Sequence, residues 1–267
     1  LGEGAEHDLL DDEPEAFVPS GLRSLDELVL GAVAGELTVL AGQAGQGKTS
    51  LAVQWAMDAA ERGIPSAILS LEMGRRALRN RIISGLTGID MSALRTRRWE
   101  SDDQRKLALD AAEHLATLPL YVDDRSGLSG DDTRATLEEW AGQGIGFAVV
   151  DYLQQMGGAN ESRVVQVGDA VRAVKSAAMA ADLPVVLLSS LNRSSNLGGT
   201  PRTNWLRDSG DIEFVADTIL MLHYPDDDLY EDRRHCDIHC VKQRNGPTGV
   251  AAATFDKKST RFLEPKW

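Results

Sequence analysis

One short stretch, Ala41–Ser50 (AGQAGQGKTS), narrows the folds open to this chain more than any other. It contains Gly42-x-x-x-x-Gly47-Lys48-Thr49, the spacing of a phosphate-binding loop. Gly42, Gly45 and Gly47 let the backbone turn sharply, so that successive N–H groups point inward and form an anion-binding nest. A helix leaving the loop aims its positive end at the same point. Lys48 is placed to reach β- and γ-phosphates, and the Thr49 hydroxyl to ligate Mg²⁺. The expected nucleotide-contacting set is Gly42, Gly45, Gly47, Lys48, Thr49 and Ser50, with ATP and Mg²⁺ as ligands. The flanks suit the motif. Glu36–Ala41 (ELTVLA) reads as a buried strand, and Ser50–Arg62 as a helix with Leu51, Val53, Trp55, Ala56 and Ala59 available for packing.

Strand and helix patterns alternate beyond that point. Ser66–Leu71 reads as a strand, Gly74–Leu86 as a helix, and Ser101–Leu118 as a helix with a serine N-cap and apolar Leu107, Leu109, Ala112 and Leu115. Leu120–Asp123 reads as a strand and Ser129–Trp140 as a helix with early acids. Phe147–Leu153 is a buried strand type, Ser162–Asp182 a long Ala- and Val-rich helix, and Pro184–Ser190 the next buried strand. Ahead of the loop, Ser20–Ala34 has helical spacing at Leu22, Leu25, Leu28 and Val29. This alternation predicts an α/β fold: a mostly parallel central sheet with helices on both faces. Past residue 217, Thr218–Tyr224, Cys236–Gln243 and Val250–Asp256 read as strands separated by turns, an antiparallel C-terminal edge. Residues 1–19 read as an acidic linker or N-terminal tail, and 20–267 as one domain. The chain begins with Leu rather than Met, as the trimmed end of something longer would.

The 267 residues suffice for a well-buried α/β core. No apolar run approaches the roughly 18 residues of a membrane span, and the acidic start is unlike a signal peptide. Two cysteines alone, Cys236 and Cys240, fit a reducing, cytoplasmic setting without membrane association. A net charge of −13 argues against a whole-surface nucleic-acid binder but leaves room for a local basic channel. Seven arginines lie between Arg75 and Arg98 with a single acid, Asp90; solvated surface is their plainest reading.

Ligands on such sheets sit at the carboxyl ends of strands, where Glu72, Asp151 and Ser190 fall. Asp151, ending Phe147-Ala-Val-Val-Asp, suits a carboxylate that holds the Mg²⁺ shell. Glu72 is the candidate base that orients an attacking water; a helix-capping acid before Gly74 is the alternative. Lys242 and Arg244 flank a turn at Asn245-Gly246. They are either plain surface or, in an oligomeric ATPase, cations reaching a neighbour's γ-phosphate. His235, Cys236, His239 and Cys240 invite a metal reading, which strand alternation opposes. It sets Cys236, Ile238 and Cys240 on one face and His235, Asp237 and His239 on the other. Two polar, glycine-containing loops, Gln154–Arg163 and Arg193–Gly210, carry Arg163, Arg193, Arg202 and Arg207. Such loops either track single-strand phosphates or are ordinary flexible connections.

Taken in order, GQAGQGKTS, ILSLEM (Ile68–Met73), LYVDDRSGLS (Leu120–Ser129), VVDYLQQM (Val149–Met156), LSSLNRS (Leu188–Ser194), LRDSGDIEFVAD (Leu206–Asp217) and KQRNGPTG (Lys242–Gly249) resemble the C-terminal motor domain of DnaB-type replicative helicases. The likeness covers about Ser20 to Glu264, and SLEM, the SGDIE…AD segment and KQRNGP set it apart within the RecA-like class. It implies a RecA-like core that hydrolyses ATP at subunit interfaces and moves on single-stranded DNA. It further implies a homo-oligomer, most simply a hexameric ring, with primase or a helicase loader as further partners. It gives Glu72 the role of catalytic base, makes Asp151 the Mg²⁺-shell carboxylate and Arg244 an arginine finger with Lys242 beside it, and puts Arg207, Asp208 and Gly210 on the DNA backbone.

Two positions depart from the family. Where it usually has the Gln of S-Q-L-N-R, sensing the γ-phosphate, this chain has Ser190, too short for the same reach. Asp208 replaces the usual Glu of R-E-S-G, one methylene shorter. The family's N-terminal domain, which supports the ring and binds primase, has no counterpart in these residues. These differences motivate a second expectation: a stand-alone ATPase that binds DNA or a partner as a nucleotide switch without unwinding.

Overall fold

The computed structural model describes residues 16–151, 153–156, 163–192, 199–206, 209–225 and 232–265. The alternation read from the sequence becomes a nine-stranded mixed sheet. Its strands are β3 (Leu37–Gly42), β4 (Ser66–Ser70), β5 (Leu120–Asp123), β6 (Phe147–Asp151), β7 (Val185–Ser190), β8 (Thr218–His223), β9 (Arg233–Gln243), β10 (Gly249–Asp256) and β11 (Arg261–Leu263). Their order is β11-β10-β9-β8-β3-β7-β6-β4-β5. From β8 to β5 every pairing is parallel, and β8 to β11 pair antiparallel. A separate small pair joins β1 (Phe17–Val18) to β2 (Ala32–Val33) around helix α1 (Arg23–Val29).

Alternation within β3 explains the layering. Leu40 faces one apolar cluster, which takes in Trp55 and Ala56 of α2 (Lys48–Glu61), Ile82 of α3 (Arg75–Thr87) and Cys236, Ile238 and Cys240 of β9. Val39 and Ala41 face the other, which takes in Leu137 of the helix Gly130–Gly142, Val171 and Val174 of the helix Arg163–Ala181, and Ile212 of the helix Ser209–Val215. The sheet thus lies between two helical layers, each closed by side chains of one parity.

Several elements are not legible in the sequence: the helix Ser209–Val215 is one, and Ser20–Ala34, expected as helical, is helical only over Arg23–Val29 before it turns into β2. A short helix, Met91–Thr96, is started by the Asp90 carboxylate accepting from the Ser92 N–H at 2.6 Å. It seals a third small cluster of Ile83, Ile89, Leu94 and Ala108. β11 exists because the Asp256 carboxylate accepts from the Lys258 and Ser259 N–H groups and reverses the chain. β1 lies in the stretch read as tail, where Val18 is buried. The helix Asp102–Thr117 forms with Ser101 as its N-cap, but it leaves Leu107 and Leu109 exposed and buries Ala108. Among the described residues no helix is long and apolar enough to cross a membrane.

Candidate active site

The phosphate loop joins the carboxyl end of β3 to α2, whose first residue is Lys48. Its glycines do different jobs. Gly45 and Gly47 hold positive φ, 77° and 91°. A Cβ at Gly47 would lie 2.9 Å from the Phe262 ring, which stacks on Phe255 at 4.7 Å between centroids. This aromatic pair supports the loop from beneath, so Gly47 is required by both backbone and space. Gly42 has no positive φ. It ends β3, where a Cβ would crowd Lys48 Cγ at 3.1 Å, so close packing and not turning explains it. The loop is braced twice more. The Gln43 N–H donates to Gln46 Oε1 at 2.7 Å, and the Tyr224 hydroxyl donates to the Gln46 carbonyl at 2.6 Å.

Ala44, Gly45, Gly47, Lys48, Thr49 and Ser50 line a cavity of about 470 Å³ together with Glu72, Met73, Arg81, Asp151, Ser190, Phe255, Lys257 and Thr260. The Lys48 ammonium donates to the carbonyls of Gly42 and Gln43 at 2.8 and 3.0 Å, which stretches it across the loop. Burial lowers its pKa, and the nearby Asp151 and Glu72 carboxylates oppose that shift. The Thr49 hydroxyl donates to Asp151 Oδ2 at 2.9 Å. Burial raises the Asp151 carboxyl to about 6, against the Thr49 hydrogen bond and with help from Glu72. A buried carboxylate so destabilised gains most from a cation beside it.

Glu72 lies two residues beyond the end of β4, exposed on the cavity wall. Its turn is fixed on both sides. The Leu71 N–H donates to the Asp151 carbonyl at 2.6 Å, and the Met73 N–H to Ser70 Oγ at 3.1 Å. Ser190 also lines the cavity. Its N–H donates to Gln154 Oε1 at 3.1 Å, while Gln154 Nε2 donates to Ser189 Oγ at 2.9 Å. One glutamine of the turn Leu153–Gln155 therefore ties the end of β7 to the segment after β6.

Arg81 is not singled out by the sequence, where it is one of seven arginines read as surface. It lies on α3 between the buried Leu78 and Ile82, at the margin of that helix's apolar stripe, and turns into the cavity. Its Nε is buried and has no hydrogen-bond partner among the described residues. Burial lowers its pKa while Asp151 and Glu72 hold it up. The helical period narrows the choice without making it: Arg81 is i+3 from Leu78, but Arg75 and Arg79 stand at the same spacing from Leu78 and Ile82.

Arg244 and Lys242 are elsewhere. Thr38 of β3 pairs with Thr218 of β8, which pairs with Gln243 of β9. Arg244 is thus level with the amino end of β3, roughly 13 Å along the strand axis from the phosphate loop at about 3.3 Å per residue. The Arg244 guanidinium meets Asp217 Oδ1 at 3.1 Å. Lys242 donates to the carbonyls of Glu213 and Ala216 at the end of the helix Ser209–Val215. Both cations, Gly210 and the exposed Phe214 line an open groove of about 590 Å³. Of the other residues expected on nucleic acid, Arg193, Arg207 and Asp208 lie outside the described residues, as does the side chain of Arg163.

Asp217 is a second residue that no sequence pattern marks out as an individual. Its buried carboxylate accepts from the Leu37 N–H at 2.8 Å and from Lys175 at 2.7 Å, besides holding Arg244. Asp217→Ala would leave the mostly buried Lys175 ammonium unpaired. It is expected to cost about 3–5 kcal/mol, read as a lowered midpoint in denaturant unfolding. A loss below about 1 kcal/mol would mean that the pair behaves as a surface ion pair.

The tetrad His235, Cys236, His239 and Cys240 does not form a metal site. Cys236 and Cys240 point into the core, and burial pushes their thiols up to about 12 and about 11.

The geometry can be set against known proteins. The chain is 32% identical over 257 residues to the replicative DNA helicase DnaB of Leifsonia xyli subsp. xyli (strain CTCB07), a match covering 92% of this chain and 56% of that protein. It is 32% identical over 255 residues to the replicative DNA helicase DnaC of Bacillus subtilis (strain 168), with the same coverages. The chain therefore spans little more than half the length of these relatives. Among solved structures, a DnaB-like replicative helicase studied with its primase interactions superposes with a TM-score of 0.86 at 25% identity, over 98% of this chain and 65% of that one. A second solved structure, of an ATPase domain, gives 0.86 at 26% identity, over 98% and 95%. A KaiC-like protein from Pyrococcus horikoshii OT3, at 18% identity and a TM-score of 0.66, shares the fold. The family model for the DnaB-like helicase C-terminal domain matches residues 17–264, and the chain belongs to that family.

Proposed function

We propose that this chain is the ATP-hydrolysing motor of a replicative DNA helicase, working as a homo-oligomeric ring, most simply a hexamer, on single-stranded DNA. The observation that carries the reading is the division of the chemistry between two ends of the sheet. Lys48, Thr49, Glu72 and Asp151 surround one cavity, while Arg244 stands level with the opposite strand ends. Such a cavity is completed by a neighbouring copy. The exposed Phe214 beside Arg244 supports a subunit contact there.

The residues fit ATP and Mg²⁺. The loop stands at a helix start whose amides would meet phosphate, and Lys48, held on the Gly42 and Gln43 carbonyls, would reach the terminal phosphates. Thr49 and Asp151, already hydrogen-bonded, would hold Mg²⁺, Asp151 through its water shell. Mg²⁺, when bound, neutralises charge on the β- and γ-oxygens. Glu72 orients water at the outer wall and accepts its proton. Arg81, with an unpartnered buried Nε, meets phosphate charge from the α3 side. Arg244, supplied in trans, stabilises charge on the transferring group. Arg163, Arg193, Arg207, Asp208 and Gly210 follow the DNA backbone. Primase is a proposed partner because a structural neighbour is described with its primase interactions, and a helicase loader is a further one.

The test is unwinding of a forked duplex with ATP, with Lys48→Ala as the control. Strand separation that needs ATP and Lys48 is the expected result; ATP turnover with no response to single-stranded DNA would overturn it. Ser190 favours a second reading, a nucleotide switch without unwinding, because its short side chain stands on the cavity wall where the family usually has Gln. Nucleotide-dependent DNA binding with no strand separation is the outcome that selects it.

A further inference from the structure

The alternation that removes Cys236 and Cys240 from metal chemistry gathers His235, Asp237 and His239 on the other face of β9. The sequence offers no partner for them. The fold supplies one from β8. His223 is the direct cross-strand partner of Asp237, and Met221 that of His239, so His239 is the diagonal neighbour of His223. The ligating atoms of His223, Asp237 and His239 all lie within 4.8 Å of one another. The two imidazoles meet edge to face with centroids 5.4 Å apart.

We propose that His223, Asp237 and His239 form a binding site for a divalent transition-metal ion, separate from the Mg²⁺ of the phosphate loop. Three observations support it beyond proximity. His223 Nδ1 is buried and has no hydrogen-bond partner among the described residues, which leaves a lone pair or a proton unsatisfied. His235 Nε2 lies 2.8 Å from Asp237 Oδ1, so one carboxylate oxygen is oriented by an outer imidazole and the second is left for an ion. The donor set, two imidazoles and a carboxylate, suits zinc or iron(II) and not the hard, oxygen-preferring Mg²⁺. Bonds of about 2.1 Å require ligand atoms about 3.4 Å apart. Side-chain rotations reach that from the observed spacing, because register already fixes the backbones. A fourth position is left to water.

The site would act on the same end of the sheet as the phosphate loop. Leu222, one residue before His223, is 3.4 Å from the position of a Gly42 Cβ, and Tyr224, one residue after it, donates to the Gln46 carbonyl. Trp205, 6.5 Å from the His223 ring, is tied to Asn192 by a 2.7 Å backbone hydrogen bond. An ion here would clamp β8 to β9 beside the loop brace.

The experiment uses untagged full chain stripped with chelator, in excess Mg²⁺ to fill oxygen sites, and titrated with Zn²⁺ against a chromogenic competitor. One Zn²⁺ per chain is expected, with a raised Tm, and Co²⁺ in its place should give the visible absorption of a low-symmetry, imidazole-bound ion. His223→Gln with His239→Gln should abolish binding and the Tm rise. Wild-type protein that takes up no stoichiometric Zn²⁺, or a folded double variant that binds as well as wild type, overturns the site. Should the double variant not fold, the wild-type Tm shift and Co²⁺ spectrum decide the matter alone.

Discussion

Arg244→Ala is expected to lower kcat for DNA-stimulated ATP turnover by about 10³–10⁵-fold while leaving nucleotide affinity nearly unchanged. Arg244 follows β9, which runs antiparallel to β8 and ends level with the amino end of β3, one strand further on. The phosphate loop leaves the carboxyl end of β3. No rotamer of Arg244 spans that separation within one copy, so the proposed contact with a γ-phosphate requires a second copy. In the isolated subunit the guanidinium rests on Asp217, whose carboxylate keeps Lys175 and the Leu37 N–H when Arg244 is removed. The variant therefore leaves no buried charge without a partner and is expected to fold. Mixing supplies the check. Arg244→Ala has an intact loop and Lys48→Ala an intact arginine, so rings mixed from the two should regain turnover that neither has alone. Absence of any rescue, with mixed assembly demonstrated, would show that Arg244 does not act in trans.

The path from sequence to site is uneven, for physical reasons. Motifs held in one local segment are readable: Gly47, Lys48 and Thr49 sit where strand, loop and helix put them. Strand-end acids are readable too, because a buried apolar run that stops at Asp151 or just short of Glu72 marks the rim of a parallel sheet. Arg81 is lost among its neighbours, since seven arginines in one stretch look alike until the helix chooses which one turns inward. Asp217 and the partnership of His223 with Asp237 depend on strand order and register, which no single segment encodes. Gly42 belongs to the loop as its spacing predicts, but for a different reason: it avoids Lys48 Cγ and does not turn the chain.

Glu72→Gln is the complementary expectation: turnover reduced by about 10²–10⁴-fold, with ATP and DNA binding retained. Glutamine keeps the length and much of the hydrogen bonding of glutamate but cannot accept a proton, so it separates base chemistry from water placement. The loss is specific because the position is rigid. The Leu71 N–H grips the Asp151 carbonyl and Met73 closes the turn on Ser70, so the side chain at position 72 starts from the same point in both proteins. Single-turnover hydrolysis with bound nucleotide measures the step directly. If the variant hydrolyses ATP within about tenfold of wild type, below the usual range for a general base, Glu72 is not the base; nor does it cap the helix before which it stands, because the Arg75 N–H donates to Asp124 instead, at 2.9 Å. The base would then have to be sought elsewhere on the cavity wall. Asp151 is a poor substitute. It is buried and bonded to Thr49, and it is the carboxylate proposed for the metal shell. In the proposed ring, a Glu72→Gln protein that binds ATP but stalls before hydrolysis is expected to accumulate with Arg244 of one copy against the phosphate loop of the next.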